Sequence, residues 1–232
     1  MSIKDNLAVV RKNIADACNR SGRDINDVTL ICVSKTKPVD MIYEAIEEGE
    51  DTFGENKVQE LCDKIDTIND NNIKWHLIGH LQTNKVKYIV GKNILIHSVD
   101  SLHLAEVIEA ESKKKGVVSD ILIEVNVAEE ESKFGIKVSE CEELVRKIAK
   151  FEHVRIKGLM TIAPFVDDPE DNRKYFKKLF KLLVDIKSKN IDNVIMETLS
   201  MGMTNDYEVA IEEGATMIRV GTGIFGERHY LS

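Results

Sequence analysis

The chain has 232 residues, 40 of them acidic and 32 basic, with a net charge of -8, 31% charged and 43% hydrophobic residues. That balance argues against a broad nucleic-acid surface or adsorption to anionic membranes, yet permits a local basic pocket for a phosphate. Cys18, Cys32, Cys62 and Cys141 lack zinc or redox spacing, no apolar run approaches membrane-spanning length, and the charged segment 1–20 is unlike a signal peptide, so a cytoplasmic protein with reduced thiols is expected.

Apolar residues at Leu7, Val10, Ile14 and Ala17 predict a first helix over 3–19, stopped by Ser21-Gly22. A strand over 29–34, a helix over 39–48 and a short strand over 51–54 follow. Val58, Leu61, Cys62, Ile65 and Ile68 then form one face of a helix over 56–68. Further strands are expected at 73–81, 93–99, 120–127, 156–160, 194–200 and 217–221. The intervening helices are expected at 84–90, 101–115, 139–149, 171–189 and 205–213. Ser139 and Glu142 read as a capping box, and Glu129-Glu130-Glu131 as a solvated loop.

Strand and helix alternate throughout, which implies a parallel sheet with helical crossovers. Eight such units suggest an α/β fold of one (β/α)₈ TIM barrel spanning 1–232 as a single domain. Few residues follow the eighth strand, so the helix before the first strand is expected to complete the outer ring. Working groups in barrels lie at the C-terminal ends of strands. This selects Lys35, Gly54-Glu55-Asn56, Gly79-His80-Leu81-Gln82, Asn126, Met160-Thr161, Ser200-Met201-Gly202 and Arg219 to Gly223.

The apolar run Leu30 to Val33 delivers Lys35 and Lys37 before stopping at Pro38. Strand alternation would place both lysines on one side. Desolvation and a neighbouring ammonium would leave a neutral amine able to form a Schiff base; the plainer reading is a strand surfacing with solvated lysines. Glycines near Ser200 and Thr222 allow backbone N–H groups to approach an anion, the alternative being tight turns. Arg219 can address the same ligand as Lys35 once the barrel closes, or can form a salt bridge to a carboxylate. His76, His80, His97 and His103 lack metal-ligand spacing and suit hydrogen-bonding roles, while Trp75, Tyr88 and Phe134 suit packing.

Six motifs occur together: Val33-Ser34-Lys35-Thr36-Lys37, Phe53-Gly54-Glu55-Asn56, Trp75 to Gln82, Gly158-Leu159-Met160, Leu199 to Met203 and Arg219 to Thr222. In this order the whole chain resembles the pyridoxal phosphate homeostasis protein family (YggS/PROSC). The resemblance implies a barrel like the N-terminal domain of alanine racemase (fold type III). It implies pyridoxal 5′-phosphate (PLP) as cofactor, held by an imine to Lys35. Ser200, Met201, Gly202, Gly221 and Thr222 would hold the phosphate, and Arg219 would lie near the ring nitrogen. Asn56 would border the cofactor, and Lys37 would match a second lysine implicated in its exchange.

Two functions follow as expectations. One is a non-enzymatic carrier that holds PLP and supplies it to apo-enzymes, acting as a monomer that meets apo PLP enzymes transiently. The other is a PLP-dependent amino-acid racemase, which needs an acid/base on each face of the bound amino acid. Lys35 could serve one face, whereas racemases of this fold draw the other base from a separate domain. The carrier is therefore favoured, with no catalytic residue and no metal expected.

Overall fold

Each apolar run that reads as a strand enters one parallel sheet. A computed structural model of the chain describes residues 2–130 and 133–227. The first five strands are β1 (Thr29–Val33), β2 (Thr52–Glu55), β3 (Lys74–Leu77), β4 (Ile94–Val99) and β5 (Ser119–Asn126). A two-residue strand, β6 (Ile136–Lys137), adds a short ladder to β5. The rest are β7 (Val154–Met160), β8 (Val194–Met203) and β9 (Met217–Val220). Neighbours run in the order β4-β3-β2-β1-β9-β8-β7-β5, and pairing of β4 with β5 closes the ring.

The helices are α1 (Ile3–Ser21), α2 (Val39–Glu47), α3 (Val58–Ile68), α4 (Val86–Ile89), α5 (Leu102–Lys115), α6 (Val138–Ile148), α7 (Arg173–Lys187), α8 (Tyr207–Glu212) and α9 (Thr222–Phe225). Helix α1 packs against α2, α8 and α9, filling the place that the short α9 leaves in the outer ring. It starts at a capping box formed by Ser2 and Asp5 and stops at Gly22, whose φ of 65° is left-handed.

One local expectation is corrected. Lys137 is the N-cap of α6, so Ser139 already lies in the first turn and no capping box forms there. Glu142 instead pairs with Arg146 and Lys189. Trp75 is buried, whereas Tyr88 and Phe134 are 50% and 57% exposed and pack at the surface, Tyr88 beneath the Lys87 ammonium and Phe134 stacked on His80 with ring centroids 4.0 Å apart. The acidic loop stays at the surface as expected, with Glu129 paired to Lys178 and Glu130 to Lys133, while Glu131 lies outside the described residues.

Side-chain alternation divides the strands between two environments. Cys32, Trp75, Leu77, Ile96, Leu199, Met201, Ile218 and Val220 join the apolar core between barrel and helices. Ile31, Val33 and Ile78 form a separate small cluster on the inner side. His76, His97, Ser200 and Arg219 share that inner side and are buried. Barrel interiors are commonly filled with branched apolar residues, so this lumen is unusually polar.

Both ladders of β7 slip between Ile156 and Gly158. At Gly158 the strand lies so close to β8 that a Cβ would meet the Thr198 carbonyl oxygen at 1.8 Å. Neither backbone can retreat without breaking a ladder. Gly158→Ala is accordingly expected to cost about 1–3 kcal/mol, the range for forced overpacking, read from urea unfolding.

Candidate functional site at the C-terminal mouth

Strand β1 ends at Val33, two residues before Lys35. The chain then turns: Thr36 has a φ of 65°, and the Lys37 N–H donates to the Ser34 carbonyl at 3.0 Å. Strand alternation therefore does not extend to the two lysines, and they part. Lys35 lines a cavity at the barrel mouth. Lys37 turns away and donates to the carbonyls of Phe225, Gly226 and Glu227 at 2.9, 3.1 and 2.9 Å. Its three N–H donors are thus met by the segment that follows β9.

The cavity measures about 480 Å³ and opens at the C-terminal ends of the strands. Of the residues singled out in the sequence, Lys35, Asn56, Arg219, Gly221 and Thr222 line it together. Ser200, Met201 and Gly202 do not. Strand β8 runs on to Met203, so its mouth end falls beyond Ser200. Ser200 lies deeper on the inner side, and Met201 points outward into the core. The hydroxyl at the rim belongs to Thr204, which sequence reasoning missed. Its Oγ1 accepts from the Thr222 hydroxyl at 3.2 Å and the Gly221 N–H at 3.3 Å. The polar triplet Thr204-Asn205-Asp206 after the apolar run was the available signal. Lys133, Phe165 and Asp206 also line the cavity without having been singled out.

Arg219 is 4% exposed, and the salt bridge considered for it is not formed among the described residues. It donates to Ser200 Oγ at 2.5 Å and to the Thr161 carbonyl at 2.8 Å. Ser200 Oγ is 3.0 Å from His97 Nδ1, and His97 Nε2 is 2.8 Å from His76 Nδ1. A guanidinium only donates, so the Ser200 hydroxyl accepts from Arg219, and the two imidazoles continue the chain of hydrogen bonds from it. Burial lowers His76 to about 4 and His97 well below the ordinary range, so both rings are neutral at neutral pH. Burial also lowers Arg219, to about 10, which leaves it charged. Among the described residues no group of three or more His, Cys, Asp or Glu could hold a metal ion.

Glu124, at the end of β5, is 4% exposed. Burial and then the Asp100 charge push its carboxyl up to about 7, against the pull of Arg219. With the folded-state value above the ordinary 4.5, the folded protein favours the neutral acid. Stability is therefore full below the ordinary value and falls as pH rises through about 7. Glu124→Gln is expected to gain about 3 kcal/mol at alkaline pH and almost nothing in acid, checked by urea unfolding at both.

A parallel barrel with an amine, a guanidinium and paired hydroxyls at its C-terminal mouth defines a class, and comparison with known proteins agrees. The sequence profile of the alanine racemase N-terminal domain matches residues 6–229. The barrel also superposes on alanine racemase of Clostridium difficile 630, with a TM-score of 0.74 and 18% identity, covering 98% of this chain and 61% of that one. At that identity the likeness is one of fold.

A pyridoxal phosphate homeostasis protein of Aquifex aeolicus (strain VF5) is 45% identical over 230 residues, 99% of this chain and 100% of that one. The structure of PipY, the COG0325 family member of Synechococcus elongatus PCC7942, with PLP bound, has a TM-score of 0.83 and 32% identity, covering 97% of this chain and 100% of that one. The chain belongs to the pyridoxal phosphate homeostasis protein family.

Proposed function

We propose that this chain binds pyridoxal 5′-phosphate at the barrel mouth, holds it as a Schiff base to Lys35, and supplies it to apo-enzymes. The observation that carries this reading is the meeting of Lys35, Arg219, Gly221 and Thr222 on one cavity. Its donor set fits the cofactor. The Thr204 and Thr222 hydroxyls and the adjoining backbone N–H of Gly221 suit a phosphate. Lys35 supplies the amine for an aldehyde. Arg219 has five N–H groups and spends them only partly on Ser200 and Thr161, so it can also donate to a ring nitrogen. A charged donor there opposes ring protonation and weakens the ring as an electron sink. Holding, rather than turnover, is what that arrangement favours.

The other ionisable residues on the cavity wall are engaged. Lys133 donates to the Ala163 carbonyl at 3.3 Å, and Asp206 accepts from the Met203 N–H at 2.7 Å and from Asn172 at 2.8 Å. Neither is presented as a second acid/base for racemisation. Membership of a family named for homeostasis supports the same carrier role. The reading extends to a cytoplasmic monomer that meets apo PLP enzymes transiently. No helix of the described residues is long and apolar enough to cross a membrane.

Lys35→Ala is expected to abolish the visible imine band and the borohydride-trapped label while far-UV circular dichroism stays unchanged. Stoichiometric label at another lysine would refute the assignment. The loaded wild-type protein in deuterated water should leave amino-acid α-hydrogens unexchanged; turnover that vanishes in Lys35→Ala would make it a racemase. Thr222→Ala should weaken PLP binding by about 1–3 kcal/mol, the cost of a lost hydrogen bond to a charged group, measured by fluorescence titration.

A further inference from the structure

Beneath Lys35 lies a buried ionic cluster that the cofactor site does not use directly. Lys64, on α3, is 5% exposed, which is rare for a lysine. Its ammonium donates to the Ser34 carbonyl at 2.8 Å, to Glu55 Oε1 at 2.8 Å and to Glu60 Oε1 at 2.7 Å. The same carboxylate oxygens reach back to the chain on either side of Lys35. Ser34 Oγ donates to Glu55 Oε1 at 2.6 Å, and the Thr36 N–H donates to Glu60 Oε1 at 2.6 Å. Both neighbours of Lys35 are therefore tied to one ammonium.

The backbone there needs holding. Thr36 occupies the left-handed region at φ 65°, a conformation that β-branched residues avoid. Strained residues of this kind persist only where their surroundings over-determine them, and they gather at functional sites. Burial also raises the Glu55 carboxyl, and its Oε2 is buried with no hydrogen-bond partner among the described residues. An arrangement this costly is hard to account for by packing α3 on the barrel alone, because an apolar residue at position 64 could do that without burying charge.

We propose that Lys64, with Glu55 and Glu60, is a positioning device that fixes the 34–36 turn and so aims the Lys35 side chain into the cavity for capture of an aldehyde. The inference rests on the reading of Lys35 as the imine lysine. Imine formation joins the Lys35 nitrogen to the aldehyde carbon; the carbonyl oxygen leaves as water, taking two hydrogens from the amine. The cluster takes no part in that exchange. It sets where the nitrogen stands before the bond forms, and misplacement of a reacting atom by about 1 Å can slow a reaction on the order of a hundredfold.

The test compares the rate of borohydride-trappable imine formation with the affinity for pyridoxine 5′-phosphate, which carries a hydroxymethyl group in place of the aldehyde. Lys64→Met is expected to slow trapping about 10- to 100-fold while leaving affinity for the analogue unchanged. Glu60→Ala, at a more exposed position, should slow trapping too and speed hydrogen exchange of the Thr36 amide in the protein without cofactor. Glu60→Gln, which keeps an acceptor for that amide, should restore both. Trapping at the wild-type rate in Lys64→Met and Glu60→Ala would overturn the proposal, as would a parallel loss of analogue binding. If Lys64→Met does not fold, the Glu60→Ala and Glu60→Gln pair decides. A wild-type label found away from Lys35 would sink the functional reading, an outcome distinct from any of these.

Discussion

Pairing of the first strand with the last is the constraint on which the site depends. Ile31 sits opposite Arg219 and Cys32 opposite Val220 in the β1–β9 ladder. That register brings the turn after β1 beside Gly221 and Thr222, although these lie at opposite ends of the chain. Loop-closure entropy opposes such a contact, and only the burial of a complete ring of strands and helices offsets it. The cavity is a consequence of barrel closure and has no counterpart in any local segment. Helix α1 contributes to the same closure by packing against α2, α8 and α9 where the final helix is short.

A second constraint is the polar column inside the ring. A guanidinium taken out of water needs partners for its donors, and here neutral ones meet two of them: a hydroxyl, backed by two uncharged imidazoles, and a carbonyl. Charge neutralisation by a bonded carboxylate would have been stronger electrostatically, but it would have occupied the guanidinium and altered the field at the mouth. Glu124 and Asp206 stand close enough to influence Arg219 without being hydrogen-bonded to it. The column thus fixes the orientation of Arg219 while leaving its charge directed at the cavity.

The two lysines after β1 show how local reading succeeds and fails. The apolar run together with the barrel rule places Lys35 at the mouth, and it lines the cavity. Strand alternation puts Lys37 on the same face only if the strand runs on past Val33, where it ends. The left-handed Thr36 interrupts the alternation, and a β-branched residue in that region carries no sequence signal of its own. Ser200 lies below the rim for a related reason. The sequence reading ends this strand at Ser200, whereas β8 continues through Met203, so Thr204 supplies a rim hydroxyl. Lys64 was invisible because nothing in an amphipathic pattern marks a lysine that will be buried by partners from β2 and the β1 turn.

The order of elements, the barrel class and the lysine at the end of β1 were set by the sequence itself, since each follows from apolar periodicity and from motifs that are contiguous in the chain. Which groups meet was decided only by the tertiary structure. Hydrogen bonds from Arg219 to Ser200, from Lys64 to Ser34 and from Lys37 to Phe225 link residues on different elements. Their partners depend on strand register and on where each strand leaves the ladder, quantities fixed by packing across the ring and by no nearest-neighbour preference.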